Sequence, residues 1–181
     1  MIRFLIVLIS LWLSGCAPGS VSQTEEYPHR LSDWQLLQIT GKHLEGHHES
    51  TVYDLNSSLF TDYAHKYRSV WTPPGRTGSI SNDGTLVLPT GSVVTKTFYY
   101  SRQHGQLEHA AVTNAPAVRL NLDEVRLIET RLLVKTEAGW QGLPYIWNEE
   151  QTDATLEITG GVVPLDVSGL GQFNYIVPDF N

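Results

Sequence analysis

Apolar and polar positions follow several patterns along the chain, and each pattern predicts a different element. Phe4 to Leu13 is an apolar run broken only by Ser10 and preceded by the positive charge of Arg3. It is shorter than the ~20 apolar residues that a membrane-spanning helix needs, and it has the n-region and h-region of an export signal. Leu31-Ser32-Asp33-Trp34-Gln35-Leu36 then has the parts of a helix start. Ser32 is placed as N-cap and Gln35 as its reciprocal capping-box residue, with Leu31 and Leu36 as the hydrophobic staple. Asp33 falls in the first turn, where the helix dipole favours an acid. Gly41 is a natural stop, so the pattern predicts a short helix ending near Ile39 or Thr40.

Beyond Gly41 the period shortens to that of strands. Lys66 to Trp71 reads as a strand and runs into the turn Pro73-Pro74-Gly75. Asn82-Asp83-Gly84 before Thr85 to Leu88 is a tight-hairpin signal, and Ser92 to Tyr100 is rich in β-branched and aromatic residues. Val125 to Thr136 alternates, with Ile128, Thr130, Leu132 and Val134 expected on one face. Glu137-Ala138-Gly139 turns it into Trp140 to Trp147, a long hairpin. Ala154 to Thr159 and Val162 to Val167 flank Gly160-Gly161 and predict a further hairpin, and Phe173 to Val177 is the last strand. Short strands separated by Gly and Asp turns predict a mostly β fold, an antiparallel sandwich or jelly-roll-like domain with one short N-terminal helix. Residues 27–181 are expected to form that single domain.

Composition narrows what such a domain does. The chain has 181 residues, with 19 acidic against 12 basic side chains and a formal net charge of −7. A nucleic-acid partner is not expected, because phosphate binding needs a basic footprint. The single cysteine excludes an intrachain disulfide, a four-thiolate zinc site and a cluster ligated by this chain alone. That cysteine ends Leu13-Ser14-Gly15-Cys16, which resembles the lipobox of bacterial lipoproteins. The expectation is a signal peptide over residues 1–15, an acylated Cys16, and a small polar tether over residues 16–26 holding the domain off a membrane. Ala17 after the cysteine points to the outer membrane, facing the periplasm or the cell surface.

Candidate chemistry is sparse. His43, His47 and His48 lie in Gly41-Lys42-His43-Leu44-Glu45-Gly46-His47-His48-Glu49. On a helix His43 and His47 would share a face and hold a metal, with Glu49 or Asp54 completing the shell, but Gly41 and Gly46 favour a solvated loop. His104 and His109 flank a turn at Gly105. No nucleophile elbow, His-Glu-x-x-His helix or phosphate loop occurs, and the carboxylate pairs Asp123-Glu124 and Glu149-Glu150 fall in loops. The five Trp and eight Tyr would suit either a core or a sugar-stacking platform, which exposure of Trp71, Trp140 and Trp147 decides. Lys96, Glu129 and Arg131 interrupt apolar strands; Glu129 and Arg131 are expected to share a face with Leu127 and Leu133. They fit an ion network across neighbouring strands, or a docking patch for a partner domain.

Several longer segments together resemble a known group. They are Tyr27-Pro28-His29-Arg30-Leu31-Ser32-Asp33-Trp34, the stretch from Tyr53-Asp54-Leu55-Asn56 to His65-Lys66-Tyr67-Arg68, and Val94-Thr95-Lys96-Thr97-Phe98-Tyr99-Tyr100. Ile128-Glu129-Thr130-Arg131-Leu132-Leu133-Val134 and Leu143-Pro144-Tyr145-Ile146-Trp147-Asn148-Glu149-Glu150-Gln151-Thr152-Asp153-Ala154 complete the set. In this order they resemble the N-terminal β-region of the diheme c-type cytochrome lipoproteins of Gram-negative envelopes, over nearly all of the mature chain. The resemblance implies an envelope electron-transfer role in which this region leads into a haem c domain.

The chain itself has no Cys-x-x-Cys-His and ends at Asn181, about where the haem-bearing part would begin. No cofactor is therefore expected on it, and it reads as a truncated relative or one half of a split gene. The leading expectation is a non-catalytic lipoprotein module that positions a cytochrome c domain or serves another envelope redox partner. The alternatives are a sugar- or ligand-binding β-sandwich module, and a metal-dependent enzyme using the His43, His47 and His48 loop.

Mass spectrometry of membrane-extracted protein should find an acylated Cys16 as the N-terminal residue. A Cys16→Ser variant should move from the membrane to the soluble fraction, and soluble wild-type protein cut at another position would refute the anchor.

Overall fold

A computed structural model describes residues 27–57, 59–109 and 117–179 of the chain. Cys16, the signal segment and the tether lie outside the described residues. The architecture is mostly β, as the strand patterns predict. A 3-10 turn, Leu31–Trp34, precedes β1 (Leu37–Thr40), β2 (His43–Gly46), β3 (Thr51–Val52) and β4 (His65–Trp71). There follow β5 (Ser79–Ile80), β6 (Leu86–Val87), β7 (Val93–Gln103), β8 (Gln106–Glu108) and β9 (Arg119–Asn121). The remainder is β10 (Val125–Thr136), β11 (Gly139–Trp147), β12 (Ala154–Leu156), β13 (Gly161–Ser168) and β14 (Gly171–Val177). Among the described residues no helix is long and apolar enough to cross a membrane.

A nine-stranded sheet in the order β12-β11-β10-β7-β8-β13-β14 carries the fold, with β4 also on β7 and β3 on β4. All its pairings are antiparallel except β8 with β13. The sheet curls so that β13 and β14 cover part of its own face. Phe98 and Ile128 pack there against Leu165, Val167 and Tyr175. The opposite face buries Leu127, Leu132, Leu143 and Tyr145 beneath the 3-10 turn and the small sheet β1-β2-β9. The central strands thus serve two cores, one on each face.

A β-bulge in β10 assigns side chains to these cores. Leu127 pairs with Tyr99 and Glu129 with Phe98, leaving Ile128 as the extra residue. The alternation changes phase there. Ile128 joins the second core, whereas Thr130, Leu132 and Val134 stay on the side of the first. The expected four-residue face is broken at Ile128, and Leu127 lies on the opposite face from Glu129 and Arg131. Period-2 reading has no means of counting an inserted residue.

Two other expectations are corrected. The predicted helix is a single 3-10 turn, because Ser32 does not cap it. The Ser32 hydroxyl donates to Asp153 Oδ2 at 2.8 Å and its amide to Oδ1 at 3.1 Å. Gln35 adopts φ 55° and stops the turn, after which Leu37 to Thr40 pairs with β2 through a Gly41-Lys42 turn. Gly41 at φ +61° serves this hairpin and not a helix end. Gly160-Gly161 likewise does not join a hairpin. β12 pairs with β11, and β13 pairs with β14, so the turn carries the chain from the sheet edge onto the second core. Gly160 has φ +70°, and a Cβ there would lie 2.8 Å from the Asp179 amide and closer still to the Val177 carbonyl.

Gly160→Ala should therefore cost about 1–3 kcal/mol, combining left-handed strain with a backbone clash. Gly105→Ala, at φ +81° but with nothing within 4 Å, should cost less. Urea unfolding of the two variants against the parent gives the comparison.

Candidate functional site

Three positions raised by the sequence come together on the face that β13 and β14 only partly cover. Glu129 and Arg131 are two residues apart on β10 and point the same way. Glu129 is fully buried, with 0% exposure. Arg131 clasps its carboxylate with Nε at 2.8 Å and a terminal guanidinium nitrogen at 2.5 Å, and the Tyr175 hydroxyl of β14 donates to it at 2.7 Å. Burial and the neighbouring carboxylate push the Tyr175 phenol well above the usual range, so it stays a donor.

The register places cations side by side on adjacent strands. Arg68 on β4 faces Lys96 on β7, and Lys96 faces Arg131 on β10. Neighbouring strands are ~4.8 Å apart, so like charges in this row repel, and sheets ordinarily avoid the arrangement. Two of the three are compensated: Arg131 by Glu129, and Arg68 by Asp54, whose carboxylate lies 2.5 Å from the guanidinium. Among the described residues Lys96 belongs to no ion pair within 4.0 Å. Its ammonium lies 5.3 Å from the Phe98 ring centre, with Arg131 at 4.6 Å and Lys66 at 6.0 Å from the same ring. The face of the aromatic quadrupole tempers the repulsion without neutralising it. Burial, with Arg131 and Arg68 adding to it, lowers the Lys96 pKa below the ordinary lysine value, while Glu129 opposes the shift.

The row opens into a cleft of about 330 Å³. Its walls are Leu55, Val94, Leu133 and Pro144, and Tyr53, Pro178 and Asp179 stand at its margin. Of the covering layer, only the residues that follow β14 reach it. A second cleft of about 430 Å³ lies beneath the 3-10 turn. Its carboxylate, Asp153, is already held by Ser32 and faces Arg30 at 3.7 Å.

The other candidates resolve differently. His47, His48 and Glu49 bring one ligand atom each within 4.8 Å of one another, in the turn after β2. His47 Nδ1 accepts the Glu49 amide at 3.3 Å and is partly committed. His43 begins β2, and four extended residues put it ~13 Å away along the strand, outside this group. Asp54 pairs with Arg68 and not with histidine. His104 sits in the β7–β8 turn, and His109 lies against Tyr63 with ring centres 6.1 Å apart. Among the described residues Trp71, Trp140 and Trp147 differ in exposure. Trp147 is buried and donates to Thr130 at 2.9 Å, Trp71 is half-buried, and Trp140 is exposed beside Lys135.

Sequence reasoning singled out Lys96, Glu129 and Arg131 but missed Arg68 and Tyr175. Arg68 was detectable, because Lys66 and Arg68 alternate on a strand as Lys96 does. Tyr175 was not, because nothing in its own segment marks it as the partner of Glu129. Comparison with protein-family models, with curated proteins and with solved structures gives no match.

Glu129→Leu should destabilise the domain by about 3–5 kcal/mol, since Arg131 and the Tyr175 hydroxyl lose their acceptor. Tyr175→Phe, which removes one hydrogen bond to a charged group, should cost about 1.5–3 kcal/mol. Equilibrium unfolding in urea checks both, and a Glu129→Leu midpoint equal to the parent's would show that the pair is solvated.

Proposed function

We propose that this domain is a non-catalytic ligand-binding module, and that its ligand is a small organic anion held in the cleft of Arg68, Lys96 and Arg131. One observation carries the reading: a half-buried ammonium that forms no ion pair within 4.0 Å among the described residues stands between two arginines in an apolar-walled cleft. Side chains with one formal charge, lined up across strands and shielded from water, are stabilised by an anion placed among them. The cleft's volume is in the range of small-molecule sites, and its mixture of apolar walls with a few convergent polar groups is their usual make-up. The guanidinium nitrogens that Glu129 and Asp54 do not use suit a carboxylate or a phosphoryl group, and the apolar walls favour a ligand with a short hydrocarbon body. A localised basic cleft on a chain of net charge −7 also favours a compact anion over nucleic acid.

The envelope reading belongs to the same proposal. An acylated Cys16 would hold the module at a membrane, and the resemblance to cytochrome lipoproteins would set it beside a haem domain in longer relatives. The cleft is then the part of the module that binds. Sugar stacking has less support, because Trp140 is the exposed one of the three tryptophans.

Isothermal titration with acetate, butyrate, succinate and inorganic phosphate tests the reading. At least one should bind in a 1:1 ratio, more weakly as salt rises. A Lys96→Gln variant should bind it at least ~10-fold more weakly, equivalent to about 1.4 kcal/mol. No heat with any of the four anions would overturn the proposal.

A further inference from the structure

The cleft holds a lysine where an arginine would serve an anion as well, and the difference is chemical. An arginine cannot lose its proton in a protein, whereas a desolvated lysine beside other cations becomes a nucleophilic amine. Of the four lysines in the chain, Lys42 is paired with Asp123 at 2.5 Å, and Lys66 donates to the Leu59 carbonyl at 2.6 Å. Lys135 lies over the Trp140 ring, with its nitrogen 5.3 Å from the centre. Lys96 points into the cleft between two guanidiniums, and each of those already has its own carboxylate.

We propose that Lys96 captures the carbonyl group of a short 2-oxo acid as a reversible imine, with Arg68 and Arg131 flanking the acid's carboxylate. The inference rests on the anion reading of the cleft and names the class of ligand. In a 2-oxo acid the electrophilic carbon is bonded directly to the carboxylate carbon. A carboxylate drawn to either guanidinium therefore brings the carbonyl next to the neighbouring strand, ~4.8 Å away, where Lys96 stands. The apolar walls at Val94, Leu133 and Pro144 receive the hydrocarbon end.

The amine nitrogen attacks the carbonyl carbon and forms the C–N bond, and the carbonyl oxygen takes up a proton to give a carbinolamine. The C–O bond then breaks and water leaves, with the second nitrogen-bound proton released as the imine forms. Amine plus ketone gives imine plus water, and no oxidant or reductant takes part. The charged groups around this nitrogen are Arg68, Arg131 and Lys66 on one side of the balance, and Glu129, Asp54 and Asp179 on the other. Glu129 and Asp54 are committed to Arg131 and Arg68. Burial and the two arginines lower the Lys96 pKa, so more of it is free amine at a given pH than in an exposed lysine.

The test uses the full chain, pyruvate and sodium borohydride, which reduces an imine to a stable secondary amine. Peptide mapping should place one reduced adduct per chain on Lys96, formed at least ~10-fold faster than on the solvent-exposed Lys42. Acetate should suppress it by competition. Lys96→Met, its fold checked by circular dichroism, should give no adduct above the level of Lys42. Titration with acetate is run on the same sample. Acetate binding together with an adduct spread evenly over the four lysines would overturn the imine while leaving the anion site standing. No heat with acetate, butyrate, succinate or phosphate, together with no selective adduct, would overturn both.

Discussion

A carboxylate with no access to water sets the terms for one half of this fold. Taking Glu129 out of solvent costs several kcal/mol, and only a complete set of partners offsets it. Two come from the guanidinium on its own strand and one from a hydroxyl on the final strand. The second core can therefore close only in the register that delivers Tyr175 to Glu129. Leucine in a tight core would tolerate small shifts of β14 over the sheet, whereas a carboxylate with three directed hydrogen bonds does not. The strand that leads into Pro178 and Asp179 at the cleft margin is held in place by this interaction.

The same carboxylate makes the cationic row tolerable. With Arg131 paired to Glu129 and Arg68 to Asp54, the cation without an ion pair among the described residues is the one on the middle strand. The Phe98 ring lies beneath three of the cations and offers its negative face to all of them. For the proposed anion, such a cleft is already charged and partly dehydrated before binding. Less reorganisation remains for binding than in a site assembled from mobile surface side chains. Its specificity would come from the match between two partly committed guanidiniums, one ammonium and an apolar wall, and less from shape.

The parts of the fold governed by local rules were legible in the sequence. The β10–β11 hairpin follows from alternation up to Thr136 and a Glu137-Ala138 turn, and the β5–β6 hairpin follows from Asn82-Asp83-Gly84. What long-range partners decide was not legible. Ser32 has the spacing of a cap, yet Asp153 takes its hydroxyl, and the helix shrinks to a turn. Gly160 has the look of a hairpin glycine, yet its freedom serves a crossing under Val177. At the site, the charges at Lys96, Glu129 and Arg131 were visible because each breaks an apolar alternation. Their arrangement needed the bulge at Ile128, which turns Glu129 toward the same core as Ile128 itself.

The distance along the chain between Glu129 and Tyr175, 46 residues, has a kinetic consequence. The β10–β11 hairpin can form from neighbouring residues, but β13 must find β8 across β9 to β12, a pairing of high contact order. Until β14 arrives, the Glu129 carboxylate is cheaper to leave in water than to bury, so premature collapse on that face is penalised. The charge would then act as a checkpoint in folding order, keeping the second core open until the strand that completes it has docked.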